Sequence, residues 1–253
     1  MIVLYGVLAA IAFLLFSARY TWWLQPKPWG KGWPRVLMYH HISPTALASG
    51  MNTPPERFER HLKWLQAQGA IFCTLSELAV KMNNKEEGRF VALTFDDGFA
   101  DNYQFAYPIL KKHGARMTVF VAPDCPGIEG LSPEAIREMQ QDGRTEFGAH
   151  TLTHVNLTTL DDASAAQEIA ASAAAVEKLS GAPCRSFAYP FGRFEEKHQR
   201  MVEEAGMPLA VSTKKRILNW DNINPLAIPR ISINGEMNRL QFHLALTRGK
   251  YRV

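Results

Sequence analysis

The stretch Val91-Ala92-Leu93-Thr94-Phe95-Asp96-Asp97-Gly98 decides the reading of this chain. Its apolar run has the composition of a buried strand, and the run ends in two adjacent carboxylates and a glycine. Open α/β sheets and barrels place their chemistry just beyond the C-terminal ends of parallel strands, which is where Asp96 and Asp97 fall. Two neighbouring carboxylates repel each other unless a cation or a shared proton relieves them. Asp-Asp-Gly is also ordinary turn chemistry, so the rest of the chain has to choose between a site and a turn.

On either side of this stretch, short apolar runs alternate with amphipathic ones. Residues 35–42 read as a strand with His40 and His41 at its end. A helix opens at Pro54-Pro55-Glu56, carries Phe58, Leu62 and Leu65 on one face and stops at Gly69. Strands are expected near 70–73, 117–121, 145–148, 186–189, 209–212 and 227–233. Helices are expected from 76, over 103–113, from Ser132-Pro133-Glu134 to Gly143, from Asp161 or Asp162 to Gly181, over 194–205 and over 238–247. Six or seven βα units in sequence predict a parallel sheet curled into a barrel, as one domain over 35–253.

The 253 residues carry a net charge of +4, too mild to argue for nucleic acid and suited to an anionic membrane surface or a phosphorylated ligand. Three widely spaced cysteines, Cys73, Cys125 and Cys184, show neither a metal-type pair nor a disulfide framework and are expected to be free thiols. Residues 2–24 are predominantly apolar, and ~20 such residues span a bilayer core. The start lacks the basic n-region and cleavage site of a secretory signal. Residues 1–24 therefore read as one uncleaved transmembrane helix, followed by a linker over 25–34. Trp22, Trp23, Trp29 and Trp33 beside Arg19, Lys27, Lys31 and Arg35 have the make-up of an interfacial belt. All these basic side chains follow the span, which by the positive-inside rule places the domain on the cytoplasmic face of a bacterial inner membrane.

His150-Thr151-Leu152-Thr153-His154 supplies two imidazoles four residues apart, a spacing that on a helical turn puts both on one face. With a strand-terminal carboxylate elsewhere in the same pattern, two histidines and one aspartate make a site for a divalent metal that leaves positions open for water and substrate. Taken together, Thr94-Phe95-Asp96-Asp97-Gly98, the His150–His154 motif and Phe187-Ala188-Tyr189-Pro190-Phe191-Gly192 resemble, in order and spacing, the polysaccharide deacetylase (NodB-homology, carbohydrate esterase 4) family. The similarity covers roughly Pro34 to Ile233. It implies a distorted (β/α) barrel of about seven strands, with Asp97, His150 and His154 as metal ligands and Asp96 as the general base toward the attacking water. The metal so implied is Zn²⁺ first, with Co²⁺ or Ni²⁺ as alternatives. A backbone N–H near Tyr189 would help hold the oxyanion, and Tyr189, Pro190 and Phe191 would wall the sugar groove. Trp220 is placed in the same groove, against a plain surface role.

The chain also departs from the common family pattern. Ala188 stands where many members have the arginine that orients the base, and no C-terminal Leu-x-His strand supplies an acid; His243 falls in a helix. The poly-β-1,6-N-acetylglucosamine deacetylase branch shares a Tyr-His-x-Ile strand ahead of the Asp-Asp motif, which Tyr39-His40-His41-Ile42 resembles. By that resemblance His40 is the general acid, with His41 on the other face, and Arg230 is the candidate replacement for the missing arginine. The function so implied is metal-dependent N-deacetylation of an N-acetylhexosamine in a cell-envelope glycan. The substrate would be poly-N-acetylglucosamine or an undecaprenyl-phosphate-linked sugar of lipopolysaccharide modification, with glycosyltransferases as partners. A deformylase or peptidoglycan deacetylase on the same scaffold, or a sugar-binding module without chemistry, are the competing classes.

Overall fold

In the computed structural model, which describes residues 5–7, 10–13, 26–217 and 219–250, eight strands run parallel to one another. They are β1 (Arg35–Tyr39), β2 (Ala70–Cys73), β3 (Arg89–Phe95), β4 (Met117–Val121), β5 (Thr145–Ala149), β6 (Ser186–Ala188), β7 (Leu209–Lys215) and β8 (Ile228–Ser232). Seven of them close a ring in the order β1-β8-β7-β6-β5-β4-β3, with β1 also paired to β3. The eighth, β2, shares one edge of β3 with β4. Residues 89–92 of β3 pair with β2, and residues 93–95 pair with β4.

Among the described residues, seven helices follow the strands: α1 (Pro55–Ala67), α2 (Leu75–Asn83), α3 (Tyr107–Lys112), α4 (Pro133–Gln141), α5 (Asp162–Ser180), α6 (Glu196–Glu204) and α7 (Arg239–Arg248). Their ends follow the capping signals in the sequence. Thr74 and Glu77 form a capping box on α2, Ser132 caps α4 ahead of Pro133, and Gly181 closes α5 in the left-handed conformation. A π-helical turn, Asn102–Ala106, leads into α3.

Strand alternation sorts the core into two parts. Leu37, Tyr39, Leu93, Phe95, Val119 and Phe147 face the outer helices, where α1 contributes Phe58, Leu62 and Leu65, all fully buried. Burial of each such side chain contributes about 1.5–3 kcal/mol. Phe90, Ala92, Phe120, Val211 and Ile228 form the other part, together with Leu75, Leu78, Ala79 and Met82 of α2. Helix α2 thus stops the lower end of the barrel with apolar side chains. The upper end is left to polar ones.

The barrel agrees with the strand pattern of the sequence. The expected transmembrane helix at 1–24 lies mostly outside the described residues: segments 5–7 and 10–13 are helical and exposed, and among the described residues no helix is long and apolar enough to cross a membrane. Residues 26–34 pack at the lower end, where the Lys27 N–H donates to Thr247 O and the Arg35 guanidinium donates to Leu246 O. Cys73 and Cys184 are buried and all three cysteines are free thiols.

His61 of α1 is buried, and burial, reinforced by Arg57 and Arg60, pushes its imidazole down to about 3. The unfolded chain, with an ordinary histidine near 6.5, therefore binds the extra proton between those two values, so this stability is complete above about 6.5 and is lost as pH falls toward 3. The slope for one group is about 1.4 kcal/mol per pH unit. In urea titrations at pH 7 and pH 5, the stability gap between wild type and His61→Gln should narrow by about 2 kcal/mol at the lower pH. A gap independent of pH would contradict the neutral, buried imidazole.

Candidate metal centre and base

Four strand ends meet at the top of the barrel. Just beyond β3 the Asp96 N–H donates to Tyr39 O at the end of β1, and just beyond β5 the His150 N–H donates to Val121 O at the end of β4, which ties the β3 and β5 ends to their neighbours. Along β3, Thr94 and Asp96 point into the barrel. By the same alternation Asp97 would point outward, but its φ of 72° re-aims it, and Gly98 follows with φ of 70°. A Cβ on Gly98 would sit 3.2 Å from the Val121 side chain, so both backbone freedom and space favour glycine there. Two adjacent carboxylates thereby face one site.

They have different partners. Asp96 is buried and gripped by Arg230, with Nη1 2.6 Å from Oδ1 and Nη2 2.7 Å from Oδ2. Arg230, itself fully buried, also donates to Thr94 Oγ1 and Ser212 O, so four hydrogen bonds fix its plane. Burial alone would raise the Asp96 pKa; the charge and hydrogen bonds of Arg230, with His150 and His40, more than offset it and keep the carboxylate ionised. The counter-charge of Asp96 thus comes from β8, while Ala188 on β6 offers none.

Asp97 faces the two histidines. Its Oδ1 is 3.4 Å from His150 Nε2 and 3.2 Å from His154 Nε2. The His150 Nδ1–H donates to Ala188 O at 2.7 Å, which leaves the Nε2 lone pair aimed at the carboxylate. Two imidazole lone pairs and a carboxylate oxygen, all within 4.8 Å of one another, repel unless a cation lies between them. Burial would lower the His150 pKa, yet Asp97 and Asp96 raise it overall, so the site favours positive charge. Tetrahedral coordination at ~2.0–2.1 Å separates donor atoms by about 3.3 Å, close to the contacts made by Asp97, so the donor set fits a divalent ion.

The histidine loop is not helical, contrary to the spacing argument. Residues 150–154 form an irregular turn with positive φ at Thr151 (58°) and His154 (60°). That backbone is held by Glu168 of α5, whose carboxylate accepts from the Leu152 and Thr153 N–H groups and from Thr153 Oγ1, and by Thr151 Oγ1, which accepts from the Val155 N–H. Glu168 was not singled out in the sequence, since an acid on an alanine-rich helix carries no mark of a distant loop.

His40 comes within 3.9 Å of Asp96, Nε2 to Oδ2. Burial holds its imidazole below the ordinary range although Asp96 and Asp97 pull it up. His41 turns away, donating from Nδ1 to Asp101 Oδ2 at 2.7 Å and stacking on Phe99. His243 is exposed on α7 against Trp64, away from the carboxylates.

Three of the four residues expected in the sugar groove lie elsewhere. Tyr189 is fully buried on the helix side of β6, stacked on Phe194 and donating its hydroxyl to Leu226 O. Its N–H donates to Val211 O, so it is not a spare oxyanion donor. Alternation puts Ala188 inside and Tyr189 outside. Pro190 is buried too, and of this trio only Phe191, 59 % exposed, stands over the site, edge-on to His154 at 4.8 Å. Trp220 lies at the opposite end of the barrel, because the β7–β8 connection doubles back before β8 begins. Its indole N–H donates to Asn83 Oδ1 and its backbone N–H to Gly32 O.

Comparison with known proteins agrees with this geometry. The family model described as polysaccharide deacetylase matches residues 83–210. A Bacillus subtilis relative named for the same family, YxkH, is 31% identical over 210 residues, covering 82% of this chain and 74% of its own. A poly-beta-1,6-N-acetyl-D-glucosamine N-deacetylase of Staphylococcus aureus is 31% identical over 195 residues, covering 71% and 67%. Among solved structures, the Streptococcus pyogenes deacetylase PplD, in complex with acetate, superposes with a TM-score of 0.73 at 28% identity over 83% of this chain and 95% of its own. The chain belongs to the polysaccharide deacetylase family, hydrolases that cleave the linear amide of N-acetylated sugars.

Removing the guanidinium should expose how much depends on it. Arg230→Gln leaves Asp96 buried without its counter-charge, and breaking a buried pair from one side costs about 3–5 kcal/mol. Thermal melts should show that loss, and Arg230→Lys should recover only part of it because one ammonium cannot replace the two-point contact. A variant as stable as wild type would show that the pair is not what keeps Asp96 ionised.

Proposed function

We propose that this protein is a divalent-metal-dependent N-deacetylase of an N-acetylhexosamine in the cell envelope. The observation that carries the reading is the contact of Asp97 Oδ1 with both His Nε2 atoms beside an Asp96 that is held ionised by Arg230. Asp97, His150 and His154 would hold the metal, which when bound polarises the acetamide carbonyl and acidifies water.

The protein's own groups do the rest. Asp96 accepts the proton of the attacking water, and Arg230 fixes its oxygens so that no reorientation is needed at that moment. His40 rests neutral, so the proton it hands to the departing amine must arrive during the cycle; Asp96 Oδ2, 3.9 Å away, is the charged group at hand. Phe191 offers an apolar face at the rim for a pyranose ring. The Staphylococcus aureus relative favours a β-1,6-linked N-acetylglucosamine polymer as substrate. The apolar residues 2–24 favour attachment to the bacterial inner membrane and a lipid-phosphate-linked sugar. Both substrates present the same acetamide to the site.

Acetate release from N-acetylglucosamine oligomers tests the activity. Chelation should abolish turnover, and Zn²⁺ or Co²⁺ should restore it with one ion per chain. Asp97→Asn should lose metal and rate together. Asp96→Asn and His40→Ala should keep the metal while turnover falls by roughly 10²–10⁴, the usual contribution of a positioned base or acid. Full activity in protein shown to be free of metal would end this reading.

A further inference from the structure

On the outer wall of the barrel, helices α1 and α7 leave a groove of about 440 Å³ between them. Its floor is Trp64 and Phe242, and its polar lining includes Arg57, Arg60, His61 and Arg239. None of the lining residues is acidic. The nearby carboxylate of Glu59 is turned to Lys63, Lys112 and His113. Arg57 donates to Gly235 O, whereas Arg60 and Arg239 are exposed and have no carboxylate partner among the described residues.

His61 adds a donor. It is 5 % exposed, with Phe242 stacked flat on its ring at 3.9 Å. The hydroxyl of buried Tyr39 has His61 Nδ1 as its partner, at 3.2 Å. A buried hydroxyl with one partner donates to it, so Nδ1 accepts and the proton of the neutral imidazole sits on Nε2. That Nε2–H has no partner among the described residues, and the side chain lines the groove. The polar lining therefore offers cations and a neutral donor over an aromatic floor, a combination suited to an anion joined to an apolar body.

The course of the groove identifies that body. Helix α1 starts at the catalytic end of the barrel and ends at the lower one, where Trp64 stacks on Trp29 at 6.2 Å. In the chain, four residues separate the apolar stretch 2–24 from Trp29. The groove thus runs from the end of the barrel that holds residues 26–34 toward the rim that carries Asp97, His150 and His154. We propose that it binds the phosphate and adjoining hydrocarbon of a lipid phosphate, with Arg60, Arg239 and His61 Nε2–H on the phosphate and Trp64 and Phe242 along the chain. The site shares no residue with the catalytic centre, and its occupancy does not depend on the deacetylase reading.

Photolabelling of the full chain in neutral phosphatidylcholine nanodiscs with a diazirine-bearing dodecyl phosphate tests this. Adducts are expected on peptides of α1 and α7, displaced by dodecyl phosphate but not by dodecanol. They should fall at least tenfold in Arg60→Glu/Arg239→Glu and by an intermediate amount in Arg60→Gln/Arg239→Gln. Acetate release from soluble N-acetylglucosamine oligomers, read on the same samples, should be unchanged, showing that the variants are folded. Labelling that is equal in the double variants, or that lies elsewhere on the chain, overturns the proposal. So does displacement by uridine diphosphate in place of dodecyl phosphate, which would make the groove a nucleotide site.

Discussion

The site depends on one ion pair inside the barrel. Arg230 reaches from β8 to Asp96 beyond β3 and bonds Thr94 and Ser212 on the way, so three strands are tied to one guanidinium. A carboxylate so deeply buried would otherwise take up a proton and be useless as a base. The pair's desolvation is offset because four of the five N–H groups of the guanidinium have acceptors and the carboxylate is met on both oxygens. The apolar plug of α2 below the pair and the four strand ends above it hold the low-dielectric walls in place.

Backbone strain does the complementary task. An ordinary strand cannot aim two successive side chains at one point, since they alternate across the sheet. The left-handed φ at Asp97 breaks that alternation once, and those at Thr151 and His154 bring both imidazoles to the same oxygen. Non-glycine residues there cost of order 1–3 kcal/mol each and persist only where the surroundings impose them. Here the imposing groups are Glu168, Thr151 and the Ala188 carbonyl. A bound cation would add to them by favouring the converged geometry over any relaxed one.

Much of this was legible in the sequence because burial writes itself as composition. The strands of the barrel are short apolar runs, and the helix ends carry their caps and glycines in plain view, so the alternating order could be read directly; the residues themselves suggested a site of two histidines and one carboxylate, and the resemblance to the family named Asp96, Asp97, His150 and His154 within it. Arg230 was legible only as a candidate, because nothing local tells a buried arginine on a strand from one paired at the surface. Tyr189 and Trp220 were misplaced for two different reasons. The face of Tyr189 depends on a strand of three residues, too short for its period to be read. The place of Trp220 depends on a connection that folds back along the barrel, which residue order does not reveal. The helical reading of the histidines failed because spacing fits a helix and a turn equally well.

The order of the strands around the ring has a consequence for the history of the molecule. The first strand of the barrel lies between the third and the last, and the Arg35 side chain reaches a carbonyl 211 residues away. While the chain is being made, β1 can lie against β3 early, yet its other edge has nothing to pair with until β8 has left the ribosome. Until then the nascent barrel carries an open seam, and the hollow that will receive Arg230 stands without its occupant. Asp96 is synthesised long before its guanidinium, so its burial has to wait for the end of the chain. Closure of such a sequence-distant seam is the entropically costly, slow part of folding. It also places ring closure and assembly of the base in the same event.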